Sequence, residues 1–396
     1  MGTLDYLKPA KNLLIAVLFP IILLPIPLIG GTKEYYCAYT VIYMGVLWAT
    51  EALPLAVTAM IPLAAFPIFG VVPANQISGT YLSDGNFVFF GSMVMAVAVE
   101  CSHFHERIAL KILNLTGPNP RRLMLGFQLS TCFISLWISN TATAAMMVPI
   151  LMAVIKELER CRKSIADPDS ILVDNQGESE YGIDPLLIPS RERNIYKGLL
   201  LSICFSSSIG GFGTLTATGS NVVFSGYLEK TFGSRPPVTY ASWIVWAFPQ
   251  SFIILIGSWI WLQLLFVGFT KRDNSGEASV RRLLRKKYEQ LGEIRYEEKS
   301  ILFMFLALIL LWFFRHPNFM KGWGDFFLSD YVSDGTAAMA MALLMFVLPA
   351  DNPLSIFRKG GIYRPLMTWK MMKDKFAWGT LLLLGGGYAM GEGKIL

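Results

Sequence analysis

Charge is scarce in this chain: 16% of its 396 residues are Asp, Glu, Lys or Arg, against 54% hydrophobic. A water-soluble protein of this length needs more surface charge than that, so the composition excludes a soluble fold and leaves a polytopic membrane protein. Histidine is almost missing, with three residues, and none lies near Ser139 or Ser208 in sequence. A hydrolytic site in a membrane needs a nucleophile with a base or a metal cluster, so an intramembrane enzyme is set aside. Cysteine is sparse too. Cys37, Cys101, Cys132, Cys161 and Cys204 are odd in number, scattered and without a CxxC pair, which indicates neither a disulfide framework nor a thiolate metal site. They read as small buried hydrophobes. The formal net charge of +6 is no nucleic-acid footprint, because the basic residues cluster in loops beside apolar spans, as cytoplasmic loops of membrane proteins do.

What is present is a succession of apolar runs. Asn12 to Gly30 follows Lys8 and Lys11, carries three prolines and lacks a clear A-x-A cleavage site. It reads as a retained first helix with a cytoplasmic N-terminus. Ala38 to Val72 is too long for one crossing, and Glu51-Ala52-Leu53-Pro54 is its natural break. Phe87 to Val99, Trp243 to Phe269, Ile301 to Phe314, Ala337 to Pro349 and a last run from Trp378 are further spans. His103-Phe104-His105-Glu106-Arg107 reads as the start of an interfacial helix, since histidines at i and i+2 do not share a helix face. Asn114-Leu115-Thr116 is a glycosylation sequon by spelling, on the inferred cytoplasmic side. Residues 157–195 are polar, mixed in charge and read as an internal loop. Arg281-Arg282-Leu283-Leu284-Arg285-Lys286-Lys287 suits either a helix lying on an anionic leaflet or a solvated loop helix. Trp323, Phe326 and Tyr331 suit an outer membrane interface.

Two stretches break the apolar pattern from inside. In Ser135-Leu136-Trp137-Ile138-Ser139-Asn140-Thr141-Ala142-Thr143, small polar side chains stand in the middle of an apolar span, where they are costly without partners. Either they glue one continuous helix to a neighbour, or two half-helices meet at a polar tip in a re-entrant hairpin. Between Ser206 and Asn221, sixteen residues hold four glycines and seven hydroxyl side chains. Glycine weakens a helix and exposes its backbone, so this is a second intramembrane break. No βαβ alternation surrounds these glycines, which sets a dinucleotide loop aside. A faint internal echo also appears: Phe87-Val88-Phe89-Phe90-Gly91 with Ala96 and Glu100 matches Leu381-Leu382-Leu383-Leu384-Gly385 with Ala389 and Glu392. It fits two repeats of opposite topology. Ser139 lies 48 residues after Gly91, and the same interval from Gly385 expects a partner motif at about residue 433.

With both breaks located, a family resemblance can be stated. Trp137 to Thr143, Ser208-Ile209-Gly210-Gly211 leading to Thr218-Gly219-Ser220-Asn221, and Tyr331-Val332-Ser333-Asp334 resemble the animal sodium-coupled carboxylate and sulfate symporters, the divalent anion:sodium symporter (solute carrier 13) family. His105 to Lys111 and Trp378 to Gly387 are similar too, in matching order along the chain. The resemblance implies an all-α polytopic membrane protein of broken helices and a re-entrant hairpin. It also implies an inverted-repeat, elevator-type, homodimeric transporter, here with the second repeat incomplete. By position, Ser135, Ser139, Asn140 and the backbone of Gly219 would coordinate sodium. Asn140 and Thr141 would bond a substrate carboxylate, with Thr218 and Gly219 close by. Sodium is a hard cation that takes oxygen ligands, and half-helix N-termini beside a bound cation favour an anion without arginine.

The implied domains are scaffold helices at 1–120, the first half of a transport unit at 121–270, and a basic loop with the start of the second repeat at 271–396. The implied function is sodium-coupled symport of succinate, malate or citrate in the plasma membrane, with sodium as the co-transported ion. Sulfate is the alternative anion, since Phe212 and Ser220 stand where carboxylate carriers more often show threonine and proline, whereas Ala142 resembles the carboxylate carriers. A reading of another class is a shortened, non-transporting chain that dimerises with full-length subunits and regulates them.

Overall fold

The computed structural model describes residues 11–166, 189–232, 237–268, 277–315, 320–328, 331–353 and 363–395. Among the described residues the fold is all-α, with one isolated bridge between Pro349 and Pro365 and no strand. Five helical segments among them are long and apolar enough to cross a membrane: Lys11–Gly30, Ala74–Cys101, Asn140–Cys161, Ser190–Gly213 and Tyr240–Val267.

Proline and polar residues punctuate the first third. The first span splits into α1 (Lys11–Leu23) and α2 (Pro25–Gly30), because Pro25 has no N–H to continue the hydrogen-bond ladder. Helix α3 (Lys33–Thr50) stops where Glu51 takes the left-handed φ of 51°, and Pro54 precedes α4 (Leu55–Thr58). The expected break at Glu51 to Pro54 is therefore present. Next come α5 (Ile61–Ile68), α6 (Ala74–Thr80), α7 (Asp84–Cys101) and α8 (Phe104–Thr116). Helix α8 is amphipathic: it buries Ala109, Leu110 and Leu113 and leaves Lys111 exposed. Its Arg107 is 5% exposed and grips the carboxylate of Glu298 at 2.8 Å and the carbonyls of Leu291 and Gly292 at 3.0 and 2.8 Å. The His-Phe-His-Glu-Arg stretch thus anchors a helix, and no metal-ligating cluster forms among the described residues.

The middle of the chain folds as α9 (Pro120–Ser135), α10 (Asn140–Ala166), α11 (Ser190–Gly213), α12 (Gly219–Phe232) and α13 (Tyr240–Leu262), the last continued by a π turn, Gln263–Val267. The remainder is α14 (Glu277–Gln290), α15 (Tyr296–Phe313), α16 (Asp334–Val347), α17 (Trp369–Lys375) and α18 (Trp378–Ile395). Three apolar clusters hold these together. One joins α8 to α11 with α14 through Leu110, Phe127, Leu151, Leu199 and Leu284. A second joins α7, α13, α15 and α16 through Phe89, Trp243, Leu308 and Met341. The third joins α3, α5, α6 and α18 through Cys37, Phe66, Ile77 and Ala389. The two echoing helices, α7 and α18, are both 18 residues long. Their echoing glycines are close-approach points, Gly91 against Ala338 and Gly385 against Tyr81.

Two expectations need correction. The polar region read as a loop over 157–195 is helical at both flanks, since α10 runs to Ala166 and α11 begins at Ser190; residues 167–188 lie outside the described residues. Cys204 is exposed on α11 rather than buried, while Cys37 and Cys132 are buried as expected. The basic helix α14, open in the sequence between a leaflet helix and a solvated one, buries Leu284 against protein and exposes Arg281, Arg282, Arg285 and Lys286. Of the three interface aromatics, Phe326 and Tyr331 are exposed, whereas the Trp323 indole donates inward to Leu311 O at 2.6 Å.

Candidate functional site

The hairpin tip is built by capping chemistry. Pro120 opens α9 with Asn119 as its cap, whose side chain accepts from Arg121 N at 3.2 Å. Helix α9 ends at Ser135 after sixteen residues, about 24 Å along the axis and short of a full crossing. Leu136 to Ser139 turn the chain. Ser139 then caps α10, its Oγ accepting from Ala142 N at 3.4 Å and its carbonyl from Thr143 N at 2.9 Å. The leg α9 carries Arg121 and Arg122 at the end away from the tip, and α10 carries Lys156 and Arg160 there. Charge at both far ends and none at the tip is the pattern of a hairpin that enters and leaves on one side.

Helix α11 packs along α9 in the same direction. Gly198 lies near Met124, and a Cβ on Gly210 would come 2.3 Å from Cys132 O, so only glycine admits this approach. The contact places Ser207 and Gly211 against the tip. Ser135 Oγ lies 2.6 Å from Ser207 O and 3.0 Å from Asn140 Oδ1. A Cβ on Gly211 would stand 2.1 Å from that same amide oxygen. A serine hydroxyl has one proton and both neighbours are acceptors, so Ser135 Oγ cannot fully satisfy both, and three uncharged oxygens converge at the tip. The hydroxyls of Thr131, Thr143 and Ser206, on the three helices framing the tip, are buried without a hydrogen-bond partner among the described residues.

The second break begins at Gly213, after which Thr214 is extended with φ −129° and ψ 158°. Its hydroxyl donates to Leu136 O, which ties the two breaks together. The amide of Asn221 reaches back and donates to Gly211 O at 3.1 Å and Thr214 O at 2.9 Å. The Trp243 indole donates to Phe212 O at 3.2 Å. Carbonyls orphaned by the end of α11 are thereby occupied. Helix α12 starts at Gly219, which packs against Leu384 of α18, and Thr218 Oγ1 lies 3.1 Å from Ser220 Oγ.

Of the six residues singled out by sequence, the structure brings Ser135 and Asn140 into one oxygen cluster. Ser139 sits at the cap beside it, half-buried, with its hydroxyl turned to Ala142. Thr141 is exposed on the first turn of α10. Thr218 and Gly219 are half-buried at the start of α12, and the bonds joining the two breaks run through Ser207, Gly211 and Thr214 rather than through them. Ser207 O, Thr214 and Asn221 were not foreseen as site members. The i, i+4 spacing of Ser207 and Gly211 marks a face of small residues on α11, but nothing in the sequence marks Ser207 O, Thr214 or Asn221 as partners of the tip. A cavity of about 720 Å³ opens next to this region, lined by Asp84, Ser220, Tyr227, Tyr388 and Glu392.

A family model for the sodium:sulfate symporter transmembrane region matches residues 9–395. The chain is 37% identical to the Mus musculus Na(+)/citrate cotransporter, over 97% of this chain and 73% of that protein. It is 35% identical to the Homo sapiens Na(+)/dicarboxylate cotransporter 3, over 97% and 71%. It is 38% identical to the Homo sapiens solute carrier family 13 member 2, over 97% and 72%.

Proposed function

Because the chain belongs to the sodium:sulfate symporter family, whose members compared above are transporters rather than enzymes, we propose that it couples sodium to the movement of di- and tricarboxylate anions such as succinate, malate and citrate. The observation that carries this reading is the cluster of Ser135 Oγ, Ser207 O and Asn140 Oδ1, three uncharged oxygens gathered at the tip. A monovalent hard cation relieves that electron-rich crowding with the ligand type it prefers. In this reading Ser135 and Asn140 hold sodium through side-chain oxygens, with Ser139 and the Gly219 backbone completing the shell.

Asn140 and Gly219 each open a helix, α10 and α12. Both N-termini favour negative charge. The anion then bonds Asn140 and Thr141, with Thr218 and Gly219 beside it, and sodium strengthens the field it meets. By linkage the anion raises sodium affinity by the same factor. Residues 1–120 act as the scaffold and 121–270 as the moving unit, in a homodimer with its N-terminus in the cytoplasm, in the plasma membrane. Emptying the site strands no fixed charge, since every named ligand is neutral.

Uptake of labelled succinate, citrate and sulfate into cells producing this chain tests the reading. The expected result is carboxylate uptake that disappears when choline replaces sodium, and that falls at least tenfold in Asn140→Ala at equal surface level, as when a positioned polar ligand is removed. Sodium-independent uptake contradicts the coupling. The family description names sulfate, so sulfate uptake exceeding that of the carboxylates would assign the anion to sulfate.

A further inference from the structure

Helix α14 carries the densest basic run of the described chain, and the function above makes no use of it. Its apolar side is already occupied. Val280 and Leu284 are fully buried against Leu110, Leu113, Leu151 and Ile195, and Leu283 and Tyr288 pack against the same cluster. The neighbours supplying this seat are α8 and α10, the second leg of the hairpin. What remains outside is Arg281, Arg282, Arg285 and Lys286, all exposed. Their i, i+1, i+4, i+5 spacing puts them in one stripe along two turns. Among the described residues one carboxylate pairs with them, Glu289, which accepts from Arg285 at 2.8 Å. The stripe therefore keeps a cationic excess.

The depth of this stripe is fixed by three bonds. Asn119, at the mouth of the hairpin, donates to Glu277 at the start of α14 over 3.1 Å. Arg121 donates to Gly268 O, the end of the long apolar span, over 2.7 Å. In that span Trp259 donates to Arg121 O at 3.1 Å while Trp261 is exposed. Tryptophan at the end of a lipid-facing span marks the headgroup level, and the guanidinium of Arg281 lies over Gly117 in the adjoining turn.

We propose that the Arg281, Arg282, Arg285, Lys286 stripe is a docking site for anionic phospholipid headgroups of the leaflet it faces. Guanidinium groups match phosphate oxygens in bidentate geometry, and the helix presents them at headgroup depth on a base that cannot turn away. Lipid held there braces α14 against α10, and so steadies one leg of the hairpin that carries Asn140. The identity of the leaflet rests on the topology proposed above; binding itself does not. Labelling of Arg282→Cys by an impermeant reagent from outside intact cells would overturn that topology and leave lipid binding standing.

The test is lipid binding to the purified full chain in detergent, measured by native mass spectrometry with phosphatidylserine, phosphatidylcholine and inorganic phosphate as separate additions. The wild type is expected to bind phosphatidylserine at least tenfold tighter than phosphatidylcholine, and R281Q/R282Q/R285Q/K286Q to lose that preference, since each cation near an anionic surface is worth about fivefold. The thermal midpoint of the variant in phosphatidylcholine should match the wild type, because the four side chains are exposed. If the variant fails to fold, R282Q/K286Q, the pair furthest round from the buried face, should lower the preference at least fivefold. A wild type without preference for phosphatidylserine, a preference that survives in the variants, or inorganic phosphate binding as tightly as the lipid would each overturn the assignment.

Discussion

At the first break, α9 ends at Ser135 and the freed carbonyl of Leu136 is taken by Thr214, 78 residues further along the chain. At the second, α11 ends at Gly213 and the carbonyls of Gly211 and Thr214 are taken by Asn221, only ten and seven residues away. Both breaks release a new helix from a hydroxyl residue, Ser139 before Asn140 and Thr218 before Gly219. Their exits are alike and their closures differ. The second break is closed chiefly from its own segment by Asn221, with one bond from Trp243 of α13 to Phe212 O. The first is completed by α11, through Ser207 O on Ser135, Gly211 against Asn140 and Thr214 on Leu136. The hairpin tip and the end of α11 therefore move together if either moves.

That contrast can be broken by mutation. The largest effect is expected for Asn221→Leu, which leaves two buried carbonyls unpaired at about 1–3 kcal/mol each; thermal unfolding in detergent should show a clear drop in midpoint, with transport lost. A smaller loss is expected for Thr214→Val, which frees one carbonyl and keeps the shape, at about 1–3 kcal/mol. A larger loss for Thr214→Val than for Asn221→Leu would reverse the comparison. The smallest effect concerns pH and lies outside both breaks. His105 is 4% exposed, and burial pushes its pKa below the ordinary value, against a weaker opposing bond to Val99 O. Neutral imidazole is thus favoured in the folded state, which binds fewer protons than the unfolded one, so stability is present above pH of about 6.5 and lost as pH falls below it. Melting of the wild type from pH 7 to pH 5.5 should show this decline, and His105→Gln should flatten it.

The difference between the breaks also explains what could be read in advance. A Ser-Asn-Thr tip and a run of four glycines among seven hydroxyls announce interrupted spans, because such residues violate the rules of a lipid-facing helix locally. The interruption at Glu51 to Pro54 was legible for the same reason. The closure of the first break was not, since a bond between Thr214 and Leu136 leaves no mark on either neighbourhood. Asn221 stood inside the recognised run, yet nothing local says that its amide turns back rather than outward. For helix α14 the sequence leaves a leaflet and a solvated loop equally open, and the seat of Leu283 and Leu284 is fixed only by the neighbours α8 and α10. Ser135 and Asn140 came from the family resemblance, and Ser207 O, a backbone atom, is invisible to any reading of side chains.

The central claim is that uncharged oxygens of Ser135, Asn140 and Ser207 hold a sodium ion. Its most direct test is thermal unfolding of the purified chain in sodium chloride against choline chloride at equal ionic strength, for the wild type and for Asn140→Ala. A ligand that binds only the folded state raises the midpoint. The account predicts that sodium raises it over choline in the wild type and that the variant shows no difference between the two salts. Equal midpoints in the wild type, or a sodium effect that survives in Asn140→Ala, would contradict it.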